Sequence, residues 1–499
     1  AALEGQIEYV EKIEVAGPGF LNFHLSRDFF TKEIGRALQE GEQWGKNDRL
    51  SSEEILLEYT SPNLFKPLHV GNLVGNIIGE SLSRLFEFSG ATVRRLNYPS
   101  DIGLTVAKGV WGLQQTGGNP DNIDDLGKAY VYGNTAYEEG GEAAIAIKEV
   151  NSALYAGDVT ELNKIRMQGI ATSRMRLREI LDKLGTHFDK EIFESEAGPV
   201  GAELVKEHVG DIFQVSDGAT VYKGEKVGLH TRVFLGSHGL PTYEAKDIGN
   251  FTLKQEKFPH WTQSIIVTGS EQAEYFKVIF AAIKEVFQDA ANKLLVHVPT
   301  GFLTLTTGKM SSRKGNVLTG ESLLEEVEAE AKVRATKGRA EDVTELSEAI
   351  AVAALKYQIL KQTVGSNMVF DKEKALSFEG DSGPYLQYTH ARIGSVIEKA
   401  AANGVDAASG EAPAVAYELE RLLYRFPEVV ETAALEHEPQ KVLAYLIALA
   451  GSFNTFYSNE RIADSTDEFA PYKAALSLGV KQTLKNGLWL LGIKAPERM

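Results

Sequence analysis

The sequence predicts an α/β protein: a doubly wound parallel sheet with a helical insertion, followed by an all-α bundle. Three observations predict it. An apolar run at 55–59, a helical pattern from about 71 to 88 and a strand pattern at 93–98 form a βαβ opening. Strand-like runs return between 211 and 300, after a polar helical stretch at 119–200. Beyond about 320, nearly every segment has helical spacing as far as Met499.

The elements follow in order. Val15 to Phe23 alternates like a strand, with Gly17-Pro18-Gly19 turn chemistry inside it. Residues 1–30 read as the end of a domain whose beginning precedes Ala1, so the sequence suggests a truncated chain. Ile55 to Tyr59 has the continuous apolar character of a buried parallel strand. Leu73, Ile77, Ile78, Leu82, Leu85 and Phe86 make one helical face, and Gly90 stops that helix. A right-handed crossover places the helix start at the carboxyl edge of the sheet, where ligands bind. Later strands are expected at 220–222, 231–235 and 264–267. Asn403 to Ala414 is a surface break in the helical part. Domains are expected at 50–320, with the insertion at 119–200, then a connector at 321–380 and a bundle at 381–499.

Composition limits the function. The chain has 499 residues, 43% of them hydrophobic, enough for ordinary cores in several domains. No apolar run approaches 18 residues, so no membrane span is expected. With no signal sequence either, a cytoplasmic protein is expected. Zero cysteines exclude disulfides and any cysteine-ligated zinc. The formal net charge of −17 gives no support for nucleic-acid binding, so such a partner must be argued from motifs.

Two segments carry most of the chemistry. Ser61-Pro62-Asn63-Leu64-Phe65-Lys66-Pro67-Leu68-His69-Val70-Gly71-Asn72-Leu73 opens a helix with an imidazole and backbone N–H groups at its start, where phosphate binds. Gly71 leaves room for a nucleotide to approach, whereas Gly75 and Gly79 read as close helix–strand packing. Gly308-Lys309-Met310-Ser311-Ser312-Arg313-Lys314-Gly315-Asn316 is a basic loop between glycines. It reads as a solvated turn, as a P-loop or as a loop closing on a polyphosphate. Glu321 stands where a P-loop needs lysine, and the helix start upstream gives a closing loop something to close on. Alone, His69 would be an ordinary histidine, Asp247 a helix cap and Tyr243 a core aromatic.

Together these segments resemble the HIGH and KMSKS signatures of class I aminoacyl-tRNA synthetases. Glu58 to Gly71 is similar to the arginyl-tRNA synthetase form of the first. Thr242-Tyr243-Glu244-Ala245-Lys246-Asp247-Ile248-Gly249, Val267 to Gln272 and Asp381 to Arg392 resemble further segments of that family. The likeness runs from about residue 10 to Met499.

The resemblance implies a two-step reaction: L-arginine and ATP form arginyl-adenylate, and the arginyl group passes to the 3′ end of tRNA(Arg). It implies His69, Asn72 and Lys309 as catalytic residues. ATP would lie against His69, Gly71, Asn72 and Gly269, under Lys309, Met310, Ser311 and Arg313. Arginine would meet Glu58, Asn63, Tyr243, Asp247 and Gln272. A guanidinium carries five rigid donors and a fixed charge, and so needs such acceptors. Tyr388, Arg392, Tyr457 and Met499 would read the anticodon. Mg²⁺ would ride on the nucleotide phosphates, with no protein metal site and no zinc, in a monomer. A preceding tRNA-gripping module would be reduced to its last strand, weakening tRNA affinity.

Two departures stand out. Asn72 replaces the second histidine of HIGH, retaining one hydrogen bond toward phosphate or ribose. Ser312 replaces the second lysine of KMSKS, with Arg313 and Lys314 close by. A cysteinyl-type synthetase and a non-catalytic tRNA-binding paralogue are the alternatives. The absent cysteines and Asp247 oppose the first, and ATP turnover would exclude the second.

Overall fold

The computed structural model describes residues 5–157, 160–306, 319–335, 343–408 and 411–499. A hairpin of β1 (Val10–Ala16) and β2 (Phe20–Leu25) leads into α1 (Arg27–Glu40). Then β3 (Glu54–Glu58), α2 (Val70–Phe88) and β4 (Thr92–Asn97) form the βαβ unit. Next come α3 (Leu104–Thr116), α4 (Ile123–Glu139), α5 (Gly141–Ala156) and α6 (Glu161–Leu184). The strand β5 (Lys190–Glu191) and α7 (Glu194–Glu207) follow. The helical stretch expected to 200 is thus broken by a strand that pairs in parallel with β4.

The strands β6 (Gln214–Ser216), β7 (Ala219–Tyr222) and β8 (Arg232–Leu235) form a separate antiparallel sheet. The chain returns to the main sheet through α8 (Tyr243–Lys257), β9 (Gln263–Gly269), α9 (Ala273–Val286) and β10 (Leu294–Thr300). Beyond lie β11 (Leu303–Leu305), α10 (Gly320–Ala335), α11 (Val343–Leu360), β12 (Met368–Phe370) and α12 (Lys372–Ala375). The bundle contains α13 (Gly383–Ala402), α14 (Glu418–Leu423), α15 (Phe426–Leu435), α16 (Gln440–Asn459) and α17 (Ala470–Leu490). The helical reading beyond 320 missed β12, which pairs with β11 in a two-stranded parallel ladder.

The main sheet is parallel throughout, in the order β10-β9-β3-β4-β5. From β3 the chain moves outward through β4 and β5, then returns to β9 on the other side. The switch point lies between β3 and β9, where open α/β sheets bind ligands. Both faces are covered, which explains the continuous apolar runs. Ile55, Leu57, Ile265 and Val267 join the core under α2, while Leu56 and Ile266 join the core under α8 and α9. The first core continues into α10, α11, α13, α16 and α17, so the bundle packs on the back of α2. Gly79 lets α2 approach the end of β3 closely: a Cβ there would lie 2.3 Å from the Tyr59 ring. At Gly75 the nearest atom would be 3.6 Å away, an ordinary contact, so the sequence reading of both glycines as close packing holds for Gly79 only.

Candidate active site

The turn joining β3 to α2 is strained. Thr60 has φ 75, Ser61 φ 40 and Phe65 φ 67, left-handed values that cost non-glycine residues about 1–3 kcal/mol each. Surrounding side chains hold it there. The Asn72 amide donates to the carbonyls of Thr60 at 2.7 Å and Ser61 at 3.3 Å. Asn76 donates to Thr60 Oγ1 at 2.9 Å, and Asn97 Oδ1 accepts from the Ser61 N–H at 3.2 Å. Ser173 of α6 accepts from the Phe65 N–H at 3.1 Å. With its amide nitrogen on two successive carbonyls, Asn72 pins the turn, a role beyond the hydrogen bond to phosphate or ribose expected of it.

His69 caps α2. Its Nδ1 accepts from the Gly71 N–H at 3.1 Å, and its carbonyl accepts from Asn72 and Leu73. The helix start therefore offers fewer free N–H groups than the motif suggested. In exchange, an Nδ1 acceptor sets the neutral tautomer, so Nε2–H becomes an outward donor. Partial burial and the neighbouring Lys66 lower the His69 pKa, against a smaller opposing pull from Glu271, so the ring is neutral near pH 7. Lys66, unassigned by the sequence reading, is thus in electrostatic contact with the capping imidazole.

Lys309, Met310, Ser311 and Arg313 lie outside the described residues. The chain just beyond them is stitched to the His69 turn. Thr319 forms a bridge with His69, the Gly320 N–H donates to Leu68 O at 2.7 Å, and Glu321 Oε1 accepts from the Leu68 N–H at 3.2 Å. Gly269 ends β9 at the other side of the switch point.

Where β3 runs into this turn, a wall of carboxylates and lysines is drawn from distant segments. Glu58 ends β3, is 4% exposed, pairs with Lys254 and accepts from Asn250 at 2.9 Å. Asp247 of α8 accepts from the Tyr275 hydroxyl at 2.6 Å. Burial raises its pKa to about 7; Glu58 and Glu194 push the same way, and the Tyr275 hydrogen bond and Lys254 oppose them. Tyr243, 62% exposed, opens α8, with Lys246 over its ring at 5.2 Å. Asn63 bridges Ser100, and Gln272 ends the short turn before α9; both are half-buried.

Several members of this wall escaped the sequence reading. Glu194 pairs with Lys246 at 2.5 Å. The Tyr98 hydroxyl is buried, in electrostatic contact with Asp247, Glu194, Glu58 and Asp101, and has no hydrogen-bond partner among the described residues. A glycine pair brings Glu194 into place: a Cβ on Gly201 would lie 1.7 Å from Ala245 O, and one on Gly249 would lie 1.9 Å from Ala197 O. That close α7–α8 crossing was legible only as scattered glycines.

A second cluster lies on α13 and α16. Arg392 donates to Asn454 Oδ1 at 2.7 Å and to the Tyr388 hydroxyl at 3.1 Å. Its guanidinium carbon stands 4.6 Å from the Tyr388 ring centroid and 5.9 Å from that of Tyr457. Tyr457 is 43% exposed and stacks on Phe453. Met499 packs against the main core, in a tail whose carbonyls at Lys494 and Pro496 contact Gln387 and His390. Asn454, which ties the cluster together, had no sequence signal beyond its helix.

Comparison with known proteins joins the two clusters. A family profile for the catalytic domain of class I tRNA synthetases (R) matches residues 33–372, and one for the DALR anticodon binding domain matches 386–499. An arginine–tRNA ligase of Treponema denticola is 33% identical over 97% of this chain and 85% of its own length. One from Streptococcus uberis is 31% identical, over 98% and 88%. The arginyl-tRNA synthetase of Thermus thermophilus superposes with a TM-score of 0.79 at 27% identity, covering 99% of this chain and 89% of that one. With the catalytic profile spanning more than half of its residues and such relatives matched along most of their length, the chain belongs to the class I arginine–tRNA ligases.

Proposed function

We propose that this protein activates L-arginine with ATP and transfers the arginyl group to the 3′ end of tRNA(Arg), releasing AMP and pyrophosphate. The observation that carries the reading is the Asp247 carboxylate, held by the Tyr275 hydroxyl and grouped with the lysine-paired Glu58 and Glu194 where β3 ends at the switch point. A permanently charged guanidinium suits a carboxylate whose ionisation is otherwise costly. Asp247 pairs with that group, with Tyr243 and Glu58 beside it. Asn63 and Gln272 hold the head group.

The arginine carboxylate attacks the α-phosphorus of ATP in line, and pyrophosphate leaves. The terminal ribose hydroxyl of the tRNA then takes the arginyl group. No protein nucleophile is needed; the work is positioning and charge neutralisation. His69 donates from Nε2–H toward phosphate. Gly71 and Gly269 leave the nucleotide room, and Lys309, Met310, Ser311 and Arg313 close over it. Lys66 adds a cation near the same phosphates. Asn72 acts by holding the Thr60–Ser61 carbonyls. Mg²⁺, carried by the ATP phosphates, would supply charge neutralisation there.

Tyr388, Arg392, Tyr457 and Met499 bind anticodon bases by stacking and cation–π contact. We assign residues 50–320 to catalysis, with the insertion at 119–200, residues 321–380 to a connector and 381–499 to the anticodon module. A cytoplasmic monomer is part of the same reading. No described helix is long and apolar enough to cross a membrane. The test is transfer of labelled arginine to tRNA(Arg), with pyrophosphate exchange run with and without tRNA. Charging with arginine is expected. ATP binding without any charging at saturating tRNA would overturn the proposal.

A further inference from the structure

We infer that Arg84 is a positioning residue for the activation step, tying the strained turn at Thr60 and Ser61 to the end of the C-terminal bundle. The inference rests on the proposed function for its kinetic consequence, but its geometry stands apart from it.

Arg84 lies on α2, at the opposite end from His69. Its guanidinium has three anchors. Nε donates to Glu80 Oε1 at 2.8 Å, Nη1 to Trp489 O at 3.0 Å and Nη2 to Gly185 O at 2.9 Å. The last two acceptors belong to the carboxyl ends of α17 and α6. Helix carboxyl ends carry orphan carbonyls and partial negative charge, so a cation between two of them satisfies both. Lys356 of α11 repeats the arrangement, donating to Leu184 O and Gly492 O at 2.7 Å each. Gly185 and Gly492 have φ 68 and 66, and a Cβ on Gly492 would lie 2.4 Å from Lys356 Nζ. Ser81 adds a bond to Leu490 O at 3.0 Å. Insertion, bundle and catalytic helix are therefore joined at one point.

From that point a buried chain of hydrogen bonds runs toward the site. Glu80, 1% exposed, takes Arg84 on one oxygen and the Tyr59 hydroxyl on the other at 2.8 Å. Tyr59 is fully buried and immediately precedes Thr60, whose φ is 75. Through α6, Arg84 also reaches the far side of the turn, because Ser173 of that helix holds the Phe65 N–H. Stability alone would be served as well by apolar side chains, since buried ion networks are often neutral against hydrophobic replacements. What a charged network adds is direction, and this one is aimed at a strained backbone at the nucleotide-facing turn.

The test compares the unaltered chain with Arg84→Lys, Tyr59→Phe and the double variant. Arg84→Lys keeps the charge, but its three donors sit on one nitrogen and cannot replace a fork that meets Glu80, Trp489 and Gly185 from three separate nitrogens. Arg49→Ala is the control, because Arg49 also reaches the bundle, through Glu431 at 2.6 Å, at the surface and off this path. Each single change should lower kcat for arginylation about tenfold, with KM for ATP and tRNA nearly unchanged. The double variant should lose no more than the worse single one, as linked residues do. Amide exchange at residues 59–65 should quicken about tenfold in Arg84→Lys and Tyr59→Phe, and stay unchanged in Arg49→Ala. Unchanged kcat in a charging enzyme, multiplying losses, or unaltered exchange would each overturn the inference. If the unaltered chain charged no tRNA, the functional reading would fall, and the exchange data would still decide this one.

Discussion

At the head of α2 the backbone is forced into left-handed geometry and carboxylates from separate segments are buried beside it. On α13 and α16 the backbone is ordinary helix, and Arg392, Tyr388 and Asn454 already satisfy one another. The first region combines strained backbone with buried carboxylates, of which Glu58 and Glu194 are paired with Lys254 and Lys246 while Asp247 is held by a tyrosine hydroxyl. The proposed arginine site draws on that third carboxylate. The second is an internally bonded cluster in which the Arg392 guanidinium lies against the Tyr388 and Tyr457 rings. The proposed anticodon site draws on those ring faces.

Substitution of Asp247 should produce the largest effect. Asp247→Asn should cut kcat/KM for arginine on the order of a thousandfold, by leaving a buried cation without its partner, while ATP affinity holds. Steady-state kinetics in arginine and ATP check this; an equal loss of ATP affinity would mean that the pocket is part of the nucleotide site. On the platform, Arg392→Ala should raise KM for tRNA about tenfold and leave arginine KM alone. A matching rise in arginine KM would break the contrast between the two regions.

A third, smaller effect is set by pH. Asp247 is raised to about 7 in the free protein, whereas a bound guanidinium favours its ionised form. Arginine binding should therefore expel a proton, and arginine KM should fall about fivefold from pH 6 to 7 and level off above. The sign for stability is the reverse. With a folded pKa above the ordinary 3.8, this group makes the free protein less stable as pH rises from about 4 to 7. Asp247→Asn should flatten both profiles, and the platform should show neither. Smallest in catalytic effect, Gly79→Ala should destabilise by about 1–3 kcal/mol through its clash with Tyr59, and Gly75→Ala should be nearly silent. Thermal denaturation distinguishes them.

Much of this was legible in the sequence. The strand at 55–59, the helix at 71–88 and the strand at 93–98 lie within a residue of β3, α2 and β4, because apolar period and glycine stops are local signals. The strand patterns at 220–222 and 231–235 were also correct, but pattern alone could not show that they leave the parallel sheet for an antiparallel one. Asn72 was legible as a departure from a motif. Its turn-holding role was not, since the Thr60 and Ser61 carbonyls it serves face it only once the turn has bent.

The sequence by itself determined the order of the elements, the motifs and the family they resemble, because each is written in neighbouring residues. Only the tertiary structure decided which charges are buried together and in which protonation state. Glu58, Glu194 and Asp247 come from the end of a strand and the starts of two different helices, brought together by sheet pairing and a glycine-mediated helix crossing. Desolvation depends on everything that surrounds a group, and that surrounding is assembled from residues far apart in the chain.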